Sequence, residues 1–416
     1  MFKITPLKLA WQSLVKYKGR TFLTILGMTI GIAAVIIVMS AGESLKGLVL
    51  GQLDSFGSDF IQVEIKVPTA DKNSSGNASS LAQGVQVTSL KISDAEAIGK
   101  LPNVKDYYSA TMGQAVASYL GENKTVNFMG VSAGYINIDS GQLASGRFFS
   151  AEEDKELAKV IVIGSSLSEK FFGNQDPLNQ NIQLGRNKFK VIGVMKERGA
   201  GMGLDFDNMA FVPVETAQKI IMGIDYLMFI TVKVSDTNLQ YQTADDITQL
   251  LRIRHNIIEG SGDDFSATTV AEAKDMINSI FGGITLLLVA IAGISLLVGG
   301  VGIMNIMYVS VTERTFEIGL RQAVGAKKNQ ILLQFLWEAV VVTLLGGVIG
   351  IFLGVTFSLL VSFIAGQLGY SWDFILPPQS ILIAFGFSAL VGLIFGYYPA
   401  WKAARLDPIN ALRHDQ

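Results

Sequence analysis

Four stretches of this chain carry no charged residue: 21–42, 276–312, 339–372 and 374–401. Crossing a hydrocarbon core takes about 20 apolar residues in a helix, and each stretch is long enough. The pattern predicts membrane helices over residues 21–41, 280–310, 331–364 and 380–398. The third helix is placed to begin ahead of its uncharged run because Glu338 can sit near one interface and snorkel. Composition agrees: 16% of residues are charged and 50% hydrophobic, against about 25% charged in an ordinary soluble domain. The expected fold class is therefore a membrane α-helical protein of four transmembrane helices with a large α/β extracytoplasmic domain.

The first run follows a basic segment of about twenty residues and lacks a convincing small-residue cleavage site, so it is expected to stay as a membrane helix. Orientation follows from the lysines and arginines of the short segments. Residues 1–20 hold Lys3, Lys8, Lys16, Lys18 and Arg20 with no acid. The segment 311–330 holds Arg314, Arg321, Lys327 and Lys328, and the tail 399–416 holds Lys402, Arg405 and Arg413, whereas 365–379 has no basic residue. Both termini and the 311–330 segment are thus expected in the cytoplasm, with 365–379 a short external loop and 42–279 a single large outer domain. Leu7, Trp11, Leu14 and Val15 recur at helical spacing among lysines, which suits an amphipathic helix over 1–20 lying on the cytoplasmic membrane face; a plain basic flank is the other reading.

The second and third runs exceed what an upright helix needs. About 30 residues make a rod of roughly 45 Å against a core of roughly 30 Å. Two readings stand: a tilt or a kink at Gly299-Gly300-x-Gly302, or a helix that continues past the bilayer as a stalk.

In the outer domain, "FIQVEIKV", "KTVNFMGV", "KVIVIG", "KFKVIGVM" and "LMFITVKV" read as strands. Helices are expected at "SDAEAIGK", with Ser93 as N-cap and Glu96 completing a capping box, at "SSLSEKFFG" and at "NLQYQTADDITQLLRIRH". Residues 69–84, with Asn73 and Asn77 in N-x-[ST] patterns, and residues 197–208 read as loops. The order of elements suggests a split domain, 42–131 with 225–279, into which a β-rich lobe, 132–224, is inserted.

Much chemistry is absent. There is no cysteine, only His255 and His414, no phosphate-binding loop, no His-Glu-x-x-His and no Gly-x-Ser-x-Gly. The acid pairs Glu152-Glu153, Asp245-Asp246 and Asp263-Asp264 read as solvated surface. A net charge of -2 argues against a nucleic-acid partner. No catalytic residue, cofactor-binding residue or metal ligand is expected, so the chain reads as no enzyme.

The charged segment between the second and third runs has its own pattern. Phe316, Leu320 and Val324 form an apolar stripe at i, i+4 and i+8, and Glu313, Glu317 and Arg321 form a charged one beside it. Glu317 to Arg321 is the favoured order of a helical ion pair, and Gly325 suits a helix C-cap. The segment is either a solvated connector or a docking helix for a cytosolic partner; a connector needs no apolar stripe.

"SVTERTFEIGLRQAVGAKKNQILLQFLWEAVVVTLLGG" resembles the signature of MacB/FtsX-type ABC transporter permeases, the type VII ABC fold. "KGRTFLTILGMTIGIAAVIIVMSAGE", "SGRFFSAEEDKELAKVIVIGSSLSEKFFG", "DPLNQNIQLGRNKFKVIGV" and "YYPAWKAARLDPINALRH" are similar to the same family, in the same order, so the resemblance covers nearly the whole chain. It implies that residues 313–326 are the coupling helix, with Glu313, Arg314, Phe316, Glu317, Ile318, Leu320, Arg321, Val324, Gly325 and Ala326 docking on an ABC ATPase that holds ATP and magnesium. It implies a porter-like outer lobe, a homodimer, a membrane-fusion or adaptor partner, and a place in a bacterial inner membrane. It further implies mechanotransmission, in which ATP-driven motion passes along the long second helices to the outer domain and drives efflux of peptides, antibiotics or similar amphiphiles. Only about twenty residues precede the first span, so the ATPase is expected on a separate chain. The alternatives are an FtsX-like relay controlling a cell-wall hydrolase and a lipoprotein-releasing permease. Gly27-x-x-x-Gly31 in the first span and Gly346, Gly350 and Gly354 in the third would permit close helix contacts, and the resemblance favours Gly27 and Gly31 at the dimer interface.

Overall fold

The computed structural model describes residues 18–54, 57–68, 87–139, 141–201, 204–258, 262–368 and 372–412. The expected surface helix over 1–20, the loop over 69–84 and the Asn73 and Asn77 patterns lie wholly or mostly outside these residues. The chain divides into two compact units, Met1–Leu48 with Ile277–Gln416, and Val49–Met276.

Six helices organise the first unit and its borders: α1 (Lys18–Asp54), α2 (Val270–Glu313), α3 (Thr315–Ala323), α4 (Lys328–Gln367), α5 (Pro378–Ala404) and α6 (Pro408–Leu412). Among the described residues α1, α2, α4 and α5 are long and apolar enough to cross a membrane. The 44 residues of α2 run as one helix through Gly299-Gly300-x-Gly302. At 1.5 Å per residue α2 is ~66 Å long, about twice a hydrocarbon core.

Hydrocarbon is as apolar as leucine, so membrane helices associate by close packing rather than by expulsion of water. The contacts here follow that rule. A Cβ on Gly346 would lie 3.0 Å from the Met28 Cβ, on Gly350 2.8 Å from the Ile32 Cβ, and on Gly354 2.8 Å from the Ile36 Cβ. Three α1 side chains thus seat, turn by turn, on bare backbone of α4, and the two helices run parallel. The Thr29 hydroxyl donates to the Gly346 carbonyl at 3.3 Å. A Cβ on Gly27 would lie 3.5 Å from the Gly299 Cα, and Gly31 faces the Leu296 side chain, joining α1 to α2 antiparallel. Gly347 faces Ser388, Gly392 faces Thr343 and Gly396 faces Ala339, which sets α5 antiparallel to α4. At the far end, Ser40 Oγ donates to the Ile375 carbonyl at 2.8 Å, tying α1 to the segment before α5.

In the second unit the strands are β1 (Phe60–Ile65), β2 (Val104–Tyr119), β3 (Glu122–Val131), β4 (Leu143–Gly146), β5 (Val160–Ile163), β6 (Asn181–Leu184), β7 (Asn187–Met195), β8 (Ala200–Gly201), β9 (Leu204–Asp205), β10 (Met209–Pro213), β11 (Phe229–Val234) and β12 (Phe265–Thr269). Among the described residues ten form one mixed sheet in the order β12-β1-β11-β2-β3-β10-β5-β7-β4, with β6 bridging β2 and β7. The segment 132–224 supplies β4 to β10 and joins the flanking strands through the parallel β3–β10 pair and the antiparallel β2–β6 pair. Side chains alternate between faces with period two. On β10, Ala210 and Val212 enter one core with Phe128, Phe189 and Phe171, while Met209 and Phe211 enter another with Tyr108, Tyr135 and Phe148. Both faces are filled, which is why "KVIVIG" reads as an unbroken apolar run rather than an alternating one.

Three local expectations change. The helix expected at Ser93 starts at Ile92 after the N-cap Lys91, whose N–H is taken by the Asp94 carboxylate at 2.8 Å, not by Glu96. The Ser93 hydroxyl instead accepts from Arg254 at 3.0 Å. The described part of the expected loop 197–208 contains the two-stranded β8–β9 ladder and the turn Phe206–Asn208, held by Asp207, whose carboxylate accepts the N–H groups of Arg198 at 2.9 Å and Gly199 at 2.7 Å. Asp263 and Asp264 are paired rather than simply solvated: Arg252 grips Asp263 with two bonds of 2.7 Å, and His255 Nδ1 lies 2.9 Å from Asp264. Glu153 likewise pairs with Arg147 at 2.7 Å.

Candidate functional site

The charged segment between the second and third apolar runs folds as α3. The chain leaves α2 at Glu313 and breaks at Arg314, whose φ of -100° and ψ of 15° lie outside helical values. The break is closed locally. Thr315 Oγ1 donates to the Thr312 carbonyl at 2.7 Å and the Val311 carbonyl at 3.2 Å, satisfying acceptors that the end of α2 would leave open. At its other end α3 stops in a Schellman motif: Ala326 N–H bonds to the Arg321 carbonyl and Gly325 N–H to the Gln322 carbonyl, both at 3.0 Å. Gly325 has φ +101°, a conformation that a side chain would strain, which explains why glycine stands there.

One side of α3 is anchored. Ile318 is buried among Val311, Ile331, Phe335, Ala403 and Ala404. A Cβ on Gly319 would lie 2.6 Å from the Ala411 Cβ, so α3 and α6 touch backbone to side chain. Gln322 Nε2 reaches the Ala404 carbonyl at 3.4 Å. Arg321 donates to Gln334 at 2.8 Å and to Glu317 at 2.5 Å. Ile318, expected among the docking residues, is therefore turned into the bundle, and Ala326 is packed against the same core.

The other side is open. Phe316, Leu320 and Val324 are 44%, 48% and 83% exposed, and Glu313 and Glu317 are exposed beside them. On α6, Ile409 and Leu412 are also exposed. A helix so firmly held that still presents a row of apolar side chains outward has the form of a docking element.

Glu338 departs from expectation. It is 6% exposed and turned inward, with Arg314 Nη1 3.4 Å from its carboxylate, so it does not snorkel outward. Its depth fits a membrane interface. The Gly396–Ala339 contact puts it level with Tyr397 and Tyr398, which with Trp337 and Tyr308 are exposed, as in an aromatic belt. Sequence reasoning missed the Arg314–Glu338 contact and α6; the small residues Gly319 and Ala411 were the available signal for the latter.

Gly27 and Gly31 are placed against α2 of the same chain, as described above. Among the described residues no group of three or more Asp, Glu or His side chains is arranged to hold a metal ion. The Asp94–His255–Asp264 trio joins through the two ring nitrogens of His255, which point in different directions and cannot share an ion.

Comparison with known proteins bears on the whole chain. The family described as MacB-like periplasmic core domain matches residues 21–250, and the FtsX-like permease C-terminal family matches residues 289–408. The Macrolide export ATP-binding/permease protein MacB of Bdellovibrio bacteriovorus is 38% identical over 417 residues, which is 99% of this chain and 62% of that protein. The protein of the same description from Chlorobium phaeobacteroides is 40% identical over 410 residues, 98% of this chain and 60% of its own length. The chain thus spans about three fifths of the length of these curated relatives. The periplasmic region of MacB from Actinobacillus actinomycetemcomitans aligns with a TM-score of 0.45 at 22% identity, over 54% of this chain and 95% of that one.

Proposed function

Because this chain belongs to the family of permeases that combine a MacB-like periplasmic core domain with an FtsX-like C-terminal segment, we propose that it is the permease of an ABC transporter whose α3 docks on an ATP-binding subunit. The observation that carries this reading is the exposed stripe Phe316, Leu320 and Val324 on a helix anchored from behind by Ile318 and Gly319. The relatives are named ATP-binding/permease proteins, which supports an ATP-binding unit as the partner of α3.

In this reading both termini and α3 lie in the cytoplasm and the sheet-bearing unit lies outside, as the basic residues of the short segments favour. Two copies work together, and an adaptor receives what is exported. The runs 276–312, 339–372 and 374–401 carry no charge, which favours force transmission along continuous helices over a polar path between them. The cargo would be an amphiphile captured on the outer face. The match of a MacB-like core domain over 21–250 favours export over a relay that switches a hydrolase.

The test is co-expression of the chain with an ATP-binding subunit from the same genome, followed by purification in nanodiscs. Wild type is expected to retain the subunit. Phe316→Ala with Leu320→Ala, neither of which supports the bundle, is expected to lower retention at least tenfold. Equal retention by the variant, or none by wild type, would remove the docking reading.

A further inference from the structure

The docking helix meets α4 through a ladder that the family comparison does not assign. Arg314 and Arg321, seven residues apart, reach Glu338 and Gln334, which are one turn apart on α4. The upper rung lies at the break between α2 and α3, where the backbone leaves helical geometry and α3 could pivot. Glu338 is the only charged residue between Lys328 and Asp373. A carboxylate turned into a bundle, 6% exposed, costs several kcal/mol unless it is paired, and an apolar residue there would cost nothing of the kind. Ionisable residues kept in such places most often serve function.

We propose that Arg314 and Glu338 are positioning residues: their buried contact fixes the pose of α3 on α4, so that force entering at Phe316, Leu320 and Val324 reaches the α4–α5 pair instead of being lost by rotation at Arg314. The proposal rests on the docking reading above. The two rungs make α3 a lever with fixed arms. The α4–α5 contact, built on Gly347, Gly392 and Gly396, is close enough to carry the displacement onward. A purely structural role for the pair would lower stability; a positioning role lowers coupling at unchanged stability.

The experiment uses the full chain in nanodiscs of phosphatidylethanolamine and phosphatidylglycerol, with and without the ATP-binding subunit. Glu338→Gln keeps the shape and an acceptor for Arg314 while removing the charge, so the fold is expected to survive it. Three quantities are read: hydrogen exchange of residues 316–324 in the permease alone, retention of the ATP-binding subunit, and the fold-stimulation of its ATP hydrolysis by the permease. Expected are exchange at least tenfold faster, retention within threefold of wild type, and stimulation reduced at least fivefold. The exchanged pair Arg314→Glu with Glu338→Arg is expected to recover at least half of the stimulation.

Full stimulation by Glu338→Gln overturns the proposal, as does failure of the exchanged pair to recover any. Loss of retention in parallel with stimulation assigns the pair to folding and also overturns it. If wild type retains no ATP-binding subunit, the docking reading fails by itself. The exchange rates then decide whether the pair fixes α3: unchanged rates in Glu338→Gln overturn that too.

Discussion

In the membrane unit α4 meets α1 at Gly346, Gly350 and Gly354 and meets α5 at Gly347, where side chains are missing; in the outer unit the sheet closes over Phe128, Phe189, Phe211 and Tyr135, where side chains are large and fully buried. The difference follows from the solvent. Water drives large apolar groups together, so the sheet gains about 25 cal/mol for each Å² it hides. Lipid gives no such drive, so the helices gain by approaching closely enough for backbone and Cβ atoms to touch. At these contacts the membrane unit therefore depends on small residues and the sheet on large ones, so each contact is broken by the opposite change in size.

The largest effect expected from breaking this rule is a cavity in the outer sheet. Phe189 is fully buried, and Phe189→Ala should destabilise its unit by about 3–5 kcal/mol. Hydrogen exchange of residues 181–195 in the intact chain would report it, while α4 stays protected. A comparable loss of protection in α4 would contradict the independence of the two size rules. Next is the converse change. Gly350→Leu places a side chain where a Cβ already lies 2.8 Å from the Ile32 Cβ and from the Thr29 carbonyl oxygen. Overpacking of this kind should cost about 1–3 kcal/mol and part α1 from α4, lowering the thermal midpoint in nanodiscs. A variant as stable as wild type would show that the glycine face is incidental.

A smaller effect comes from a buried charge in the outer unit. Asp154 is 7% exposed and accepts the Glu215 N–H at 3.0 Å. Burial pushes its carboxyl up from 3.8 to about 6, with the neighbouring Glu215 charge adding to the rise. Its folded value lies above its unfolded one, so its contribution to stability is full below 3.8 and is lost as pH rises through about 6. Asp154→Asn should therefore stabilise the protein by at most about 3 kcal/mol at pH 8, with the advantage shrinking to nothing near pH 4. Thermal midpoints of both proteins across that range are the check, and parallel curves would contradict the assignment.

Particular residues show what could be read from the sequence. The four membrane helices were legible because a run such as 339–372, empty of charge, has no alternative use in a folded chain. The helix α3 was legible because Phe316, Leu320 and Val324 repeat at i, i+4 and i+8. Depth along a helix can be counted, but direction around it depends on neighbours. Glu338 was accordingly read as snorkelling, whereas it is turned inward toward Arg314, 24 residues away in sequence. Ile318 was taken for docking surface for the same reason: spacing marks a stripe without telling which stripe meets the bundle. Ser93 suits a helix start, but its hydroxyl accepts from Arg254, a residue distant in sequence, and the helix begins at Ile92 after Lys91. The helix Pro408–Leu412 was too short to carry a periodic signal.

The central claim is that the outward face of α3 is covered by an ATP-binding subunit. The most direct measurement replaces Leu320 with a photo-reactive amino acid and, in a second protein, Leu353, which is equally exposed on α4 within the membrane span. Both are irradiated in nanodiscs with the ATP-binding subunit present. The account expects a cross-link to that subunit from Leu320, lost when Phe316 is also changed to Ala, and none from Leu353. Cross-links from Leu320 to lipid alone, or equal cross-links from both positions, would contradict it.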